Sequence, residues 1–189
     1  MAENNEIDFG PLTYLIGTWE GDKGLDIAPT PDGSEENPYY ETITFEAVGD
    51  VTNAESQTLA VIRYHQVVSR KSNNEVFHDE IGYWMWDAKE KVVMHSLVIP
   101  RSVGLLAGGN YTDSGSQGDT VNLAVSAKLG DPDWGIVQSP FMRDNARTTE
   151  FRHTITIKGN TLSYSETTVL EIYGKTFDHT DENELTLKE

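Results

Sequence analysis

The sequence predicts an all-β fold, a single closed antiparallel up-and-down barrel of about ten strands with an interior ligand cavity. Three observations support this fold class. Most of the chain divides into short segments that are β-branched or alternate apolar and polar residues, with turn residues between them. No internal repeat or long helical period is present. Gly17, Trp19 and Gly21 suit a bent opening strand whose tryptophan plugs one end of a barrel.

Length and composition favour one domain and exclude several classes of function. The 189 residues divide into a flexible N-terminus, residues 1–10, and a single β-barrel ligand-binding domain, residues 11–189. Cysteine is absent, which excludes a disulfide framework, a thiolate nucleophile and a cysteine-based metal site. The net charge of −17 opposes binding to nucleic acid or to an anionic membrane.

The sequence also gives expectations for the cellular location and the oligomeric state of the protein. The first residues lack the basic and apolar regions of a signal peptide, and the chain has no run of 18 apolar residues. We therefore expect a cytoplasmic protein. A barrel of this size can stand alone, and no exposed apolar face is evident, so we expect a monomer or a weak homodimer.

The first elements are a helical turn and two strands separated by a loop. Residues 11–16 can form one helical turn that closes the barrel floor before the opening strand. Residues 28–38 include three prolines and an Asp-Gly pair, so we expect an irregular loop there. Residues 39–48 alternate well and form the second strand, in which Ile43 and Phe45 share one face.

The middle of the chain predicts a further series of strands. They are residues 58–68, 75–87, 91–100, 103–109 and 120–129. A hairpin closed near residues 86 and 91 places His95 opposite Gly82, with Trp84 and Trp86 on the same face. Both faces of this hairpin are apolar, so the pattern leaves open which face points inward.

Two loops are expected in this part of the chain. Residues 112–119 form a small-residue loop. Residues 130–147 are too long and too rich in prolines and glycines for an ordinary hairpin loop. This longer segment is either a lid or binding loop, or a surface excursion that only packs Trp134 and Phe141 onto the barrel.

The clearest hairpin joins residues 149–157 to residues 162–168 through a two-residue Gly-Asn turn. That turn length makes His153 and Glu166 cross-strand neighbours. Their face is otherwise apolar and must point inward. It comprises Phe151, His153, Ile155, Ile157, Leu162, Tyr164, Glu166 and Thr168. A final short strand, residues 184–188, closes the barrel against the first strand.

His153 and Glu166 are therefore two polar groups on an inward face. Burying both without partners would cost several kcal/mol, so they should bond to each other, to Tyr164, to water or to a ligand. Two interpretations remain open: a self-satisfied polar pair inside the core, or a pair that contacts the ligand directly.

Metal and catalytic motifs are sparse. The five histidines include no pair two residues apart and no His-Glu-x-x-His, which gives a multi-histidine zinc or copper site no local support. No nucleophile elbow, P-loop or dinucleotide fingerprint occurs. Haem needs only one neutral imidazole aimed into a dry pocket, so the histidine content permits a haem protein.

Several stretches together resemble the nitrobindins, a family of small haem-binding barrels related in shape to the fatty-acid-binding proteins and lipocalins. The matching stretches are residues 11–21, 38–45, 77–83, 92–100, 162–164 and 177–179. This resemblance implies a ten-stranded antiparallel barrel that holds b-type haem at one end. It also implies reaction with nitric oxide or isomerisation of peroxynitrite to nitrate.

The resemblance further implies His179 as the axial ligand of the haem iron. Further contacts to the cofactor are expected from Trp19, His153, Tyr164, Glu166 and Thr168. In the family pattern the ligand histidine leads directly into an alternating apolar strand, whereas residues 180–183 here are polar. Alignment of the strand itself places Glu182 at the ligand position instead. The methionine that the family carries on the preceding strand falls near Thr168 or Val169 here.

Two other functions remain open at this point. One is a haem-free carrier of fatty-acid-like or other lipophilic molecules, in which an inward Arg63 or Arg101 would pair with a ligand carboxylate. The other is a hydrolase or isomerase that uses His153 and Glu166 as acid and base. The sequence therefore leaves open whether the protein is an enzyme.

Overall fold

A computed structural model of the protein describes residues 7–112 and 120–188. A short 3-10 helix spans Gly10–Leu15, and one short α-helix, α1, spans Pro140–Asn145. The strands are β1 Gly17–Thr30, β2 Gly33–Asn53, β3 Gln57–Arg70, β4 Val76–Asp87, β5 Val92–Ile99, β6 Val103–Asn110, β7 Thr120–Lys128, β8 Ile136–Gln138, β9 Ala146–Lys158, β10 Thr161–Ile172 and β11 Lys175–Leu187. No helix in the described ranges is long and apolar enough to span a membrane.

Ten of these strands close into one antiparallel barrel, as the sequence predicts. Each barrel strand pairs with the next one along the chain, and β1 pairs with β11 to complete the ring. β7 pairs directly with β9, because β8 is a short extra strand that pairs with β6. Alternate side chains point inward along every barrel strand and form a single core.

One end of the barrel is filled by the 3-10 helix and the opening tryptophan. Leu12, Leu15 and Trp19 are fully buried. The Trp19 Nε1–H donates a hydrogen bond of 2.7 Å to the carbonyl oxygen of Leu15, which satisfies the indole inside the core. The predicted helical turn and the predicted plug at the barrel end are both confirmed.

The expectation of a loop at residues 28–38 is wrong. These residues extend β1 and β2, which pair from Thr30 with Gly33 onwards. Pro31 lies in the turn, and the other two prolines are tolerated because each lies where its strand pairs on one side only. Pro29 follows the last residue of β1 that pairs with β11, and Pro38 precedes the first residue of β2 that pairs with β3.

The register predicted for the hairpin of β4 and β5 is wrong by two residues. Trp84 pairs with His95, and Gly82 pairs with Leu97. The turn has the expected four residues but lies one residue further along the chain, where the Asp87 carboxylate accepts hydrogen bonds from the backbone N–H groups of Lys89 and Glu90. The face that carries Trp84, Trp86 and His95 points inward, which resolves the ambiguity of the sequence pattern.

Residues 130–147 are more structured than a loop, because they include β8 and α1. Trp134 packs over Gly108, where an added Cβ would lie 2.4 Å from the indole. Phe141 does not pack down, since 71% of its surface is exposed. Met142 of α1 borders the interior cavity described below. The predicted small-residue loop at residues 112–119 lies almost entirely outside the described residues.

The C-terminal pairing is confirmed for one hairpin and extended for the last strand. β9 and β10 pair with His153 opposite Glu166, as the turn length predicts. The final strand is much longer than the predicted residues 184–188: β11 begins at Lys175 and pairs with β10 without a register shift. His179 therefore lies within a barrel strand.

Gly82 provides a test of the close packing between β4 and β5. An added Cβ at Gly82 would lie 1.9 Å from the backbone oxygen of Ser96, whereas one at Gly33 would meet no atom within 4 Å. We expect Gly82→Ala to lower the free energy of unfolding by at least about 2 kcal/mol, as overpacking does. Gly33→Ala should stay within about 0.5 kcal/mol of the original protein. Urea denaturation measures both, and equal effects would contradict this packing.

Candidate functional site

An interior cavity of about 330 Å³ lies away from the end that Trp19 fills. This volume falls at the lower end of the range of small-molecule sites, roughly 300–1,000 Å³. Part of the wall is apolar and includes Leu97, Ile99, Val103, Leu105, Phe151 and Leu170. The carboxyl groups on the wall are those of Asp26, Glu35, Glu80, Glu166 and Asp181. The basic side chains on the wall are Arg70, His78, Arg101 and His179.

His179 projects from β11 into this wall and is held by a carboxylate from the neighbouring strand. Its Nε2 lies 2.5 Å from Oδ1 of Asp26 and 3.7 Å from Oδ2 of Asp181. Asp26 is nearly buried and also accepts a 2.8 Å hydrogen bond from the Asn37 side-chain amide. These contacts fix the position of the imidazole ring at the cavity wall.

Burial and charge act in opposite directions on this cluster. Burial alone lowers the pKa of His179, but the hydrogen bond that its ring donates to Asp26 and the charge of Asp181 outweigh burial, so the pKa is raised above its ordinary value. Burial also raises the pKa of Asp181, to about 6, against the opposing effect of His179. The wall therefore carries less negative charge near neutral pH than its carboxyl groups suggest.

The structure brings four of the six predicted ligand contacts together. Tyr164, Glu166 and Thr168 follow one another on the inward face of β10, and all three border the cavity with His179. Thr168 is the direct cross-strand neighbour of His179. Glu182, the alternative ligand position, is exposed on the opposite face of β11.

The other two predicted contacts lie elsewhere. Trp19 is at the filled end and does not border the cavity. His153 lies beneath the cavity floor, where its ring packs against those of Trp84, Phe151 and Tyr164. An acid–base mechanism in which His153 and Glu166 both contact a ligand finds no support, because only Glu166 borders the cavity.

A second buried carboxyl group, Glu41, organises the cavity floor. Its two oxygens accept hydrogen bonds from Asn183, Gln66 and the hydroxyl of Tyr164. The Tyr164 and Tyr39 hydroxyls lie 2.6 Å apart. Burial raises the pKa of Glu41 to about 7, although all three hydrogen bonds act to lower it.

Sequence reasoning missed Asp26, Glu41 and Glu80, for different reasons. Glu41 has the same strand parity as Ile43 and Phe45, so the alternation already indicated that it points inward. Glu80 lies on the face of β4 whose direction the pattern left open. Asp26 follows a β-bulge between Gly21 and Gly24 that changes the parity of β1, and these two strand glycines are the signal that could have located the bulge.

A closed β-barrel with a polar and apolar cavity of this size defines a small-ligand-binding barrel. A comparison with known families identifies the family within this class. The chain belongs to the THAP4-like, heme-binding beta-barrel domains, whose family model matches residues 8–186. The resemblance to nitrobindins is thereby confirmed.

Several solved structures have a similar fold. The crystal structure of Rv2717c from M. tuberculosis superposes with a TM-score of 0.70 and 22% sequence identity, over 94% of this chain and 95% of that chain. No curated protein is significantly similar in sequence. At this level of sequence identity, the structural match supports the assignment of the fold alone.

The raised pKa of Glu41 has a measurable consequence for stability. In the unfolded chain its carboxyl group ionises near pH 4.5, but in the folded protein it holds its proton to about pH 7. Its contribution to stability is therefore lost as pH rises from 4.5 to 7, by about 3 kcal/mol in total. Glu41→Gln should lack this part of the pH dependence.

Urea denaturation between pH 4 and pH 8 measures the effect. Glu46→Gln is a matched control, because Glu46 is exposed and pairs with Arg63 on the outer surface. The control should keep the full decline in the free energy of unfolding. The same decline in Glu41→Gln would show that another group is responsible.

Proposed function

We propose that the cavity binds b-type haem, with His179 as the axial ligand of the iron. The observation that carries this proposal is the position of His179, whose imidazole is held at the cavity wall by the buried carboxylate of Asp26. Membership of a family described as heme-binding supports the same assignment.

The chemistry of the donor set fits haem. A ligating histidine commonly bonds through its second ring nitrogen to a carboxylate, which fixes the ring and makes the ligand nitrogen more basic. Here Asp26 takes one nitrogen of His179, and within the described part of the chain no group bonds the other, Nδ1. Arg70 and Arg101 on the wall can pair with the propionates of the cofactor.

Each residue of the site has a distinct role in this proposal. His179 holds the iron, Asp26 orients the imidazole, and the apolar wall excludes water from the bound macrocycle. Glu166 and Thr168 face the bound group from β10. When bound, haem supplies an iron with an open coordination position, and we propose reaction with nitric oxide or isomerisation of peroxynitrite to nitrate there. A cytoplasmic location stays a prediction from the sequence.

An absorption titration of the purified protein with ferric haem tests the axial ligand. We expect a saturable Soret shift that is lost, or weakened by at least roughly tenfold, in His179→Ala. His65→Ala is the matched control, because His65 lies on the outer surface and pairs with Asp79. No shift in the original protein, or an equal shift in His179→Ala, would contradict the assignment.

Asp26→Asn tests the supporting carboxylate separately. The asparagine keeps the size of the side chain but removes its charge, so we expect haem affinity to fall by roughly 10- to 100-fold. Asp178→Asn is the control, since Asp178 is exposed on the other face of β11. Unchanged affinity in Asp26→Asn would show that Asp26 does not support the ligand.

A second candidate function is a haem-free carrier of amphipathic carboxylates. The observation that favours it is the place of Arg101, which borders the cavity and donates a 3.2 Å hydrogen bond to the carbonyl oxygen of Phe77. Arg63, the other arginine considered, faces outward and pairs with Glu46. Mass spectrometry of an organic extract from the freshly purified protein separates the two functions, because a carrier would release lipid and no haem.

A further inference from the structure

Beneath the cavity floor lie two buried histidines whose hydrogen bonding is incomplete. Three of their ring nitrogens make no hydrogen bond within residues 7–112 and 120–188: Nδ1 of His95 and both nitrogens of His153. His95 is 1% exposed and His153 is 8% exposed. Unpaired buried polar atoms cost free energy and are rare in native proteins, so these nitrogens require partners such as an internal water or a protonated carboxyl group.

A small void borders both rings. It is bounded by Tyr64, Gln66, Trp84, His95, His153 and Tyr164, among others, and its volume is about 10 Å³. That is close to the smallest space that holds one water molecule. The two imidazole centroids lie 5.6 Å apart, which suits a single water hydrogen-bonded to both rings.

Close polar contacts also connect each histidine with a carboxyl group on the cavity wall. Nε2 of His95 lies 2.7 Å from the Tyr64 hydroxyl, which donates a 2.5 Å hydrogen bond to Glu80. Nδ1 of His153 lies 3.4 Å from Oε2 of Glu166, the longest contact in the series. Glu80 and Glu166 both border the cavity.

We propose that these groups form a buried proton relay, completed by one internal water between His95 and His153, that joins Glu166 to Glu80 beneath the ligand. The relay does not depend on which ligand the cavity binds. Its function is to deliver or remove one proton at the floor of the cavity without opening the barrel to bulk water.

The directions of the hydrogen bonds are fixed by one donor. Because Tyr64 gives its only hydrogen to Glu80, its oxygen accepts from Nε2–H of His95, and Nδ1 of that ring is left to accept from the water. The water accepts from Nε2–H of His153, whose Nδ1 then accepts from the protonated carboxyl of Glu166. Every group between Glu166 and Glu80 then donates once and accepts once.

The charge states suit this arrangement. Burial, together with the charge of Glu80, raises the pKa of Glu166 well above its ordinary value, which keeps its proton in place near neutral pH. Burial lowers the pKa of His153 to about 4 and that of His95 well below its ordinary value, so both rings are neutral. The titratable groups that face Glu166 are Tyr39 and Glu41 on β2, Tyr64 on β3, Glu80 on β4, His153 on β9 and Asp181 on β11.

The transfer of one proton from Glu166 to Glu80 balances at every step. Glu166 gives its proton to Nδ1 of His153, Nε2–H of that ring passes to the water, and the water protonates Nδ1 of His95. Nε2–H of His95 then passes to the Tyr64 oxygen, whose own proton goes to Glu80. Glu166 ends as a carboxylate, Glu80 ends protonated, and both rings stay neutral with their tautomers exchanged.

The test uses the ligand-free protein, so its result is separate from that of the haem titration. Long-range ¹H–¹⁵N spectra at pH 7 should show both rings neutral and protonated on Nε2. A high-resolution crystal structure should show one water bonded to Nδ1 of His95 and Nε2 of His153. A charged ring, an Nδ1–H tautomer at either histidine or an empty void would overturn the relay.

The rate at which the His95 ring N–H exchanges with solvent distinguishes a proton relay from a purely structural role of these residues. Loss of a link should slow this exchange by roughly tenfold in both Tyr64→Phe and Glu166→Gln, whereas looser packing would accelerate it. Tyr40→Phe is the control, since Tyr40 bonds Asn74 on the surface. Unchanged or faster exchange in Tyr64→Phe and Glu166→Gln would exclude proton transfer along this path.

Discussion

The ladder between the first and last barrel strands is the constraint on which the site depends. It brings Asp26 of β1 beside Asp181 of β11, and so beside the ring of His179, although Asp26 and His179 are 153 residues apart in sequence. Without ring closure both strands would be exposed edges, and the carboxylate that holds the imidazole would be absent from the wall. Folding and assembly of the candidate haem site are therefore one event.

A β-bulge in β1 allows this one strand to place inward side chains at both ends of the barrel. The bulge between Gly21 and Gly24 inserts one extra residue, so that Trp19 and Asp26 point inward although their separation is odd. The strand thus contributes an apolar plug at the filled end and a charged group at the cavity. Gly24 suits this place because the ring of Tyr39 lies where a side chain would be.

The sequence correctly predicted the parts of the fold that depend on short-range features such as turn length. The turn between β9 and β10 has two residues, so its register and the pairing of His153 with Glu166 followed directly. The turn between β4 and β5 is shaped by the Asp87 side chain, which strand alternation does not reveal, and the predicted register failed there. The partner of His179 was not predicted, because it depends on the register between β1 and β11 and on the bulge in β1.

The packing of Trp84 against His95 has an optical consequence. The indole and imidazole rings are nearly parallel, 10° apart, with centroids separated by 4.1 Å. A neutral imidazole quenches indole emission weakly, whereas an imidazolium at this distance quenches it strongly. The emission of Trp84 is therefore expected to depend on the charge of the His95 ring.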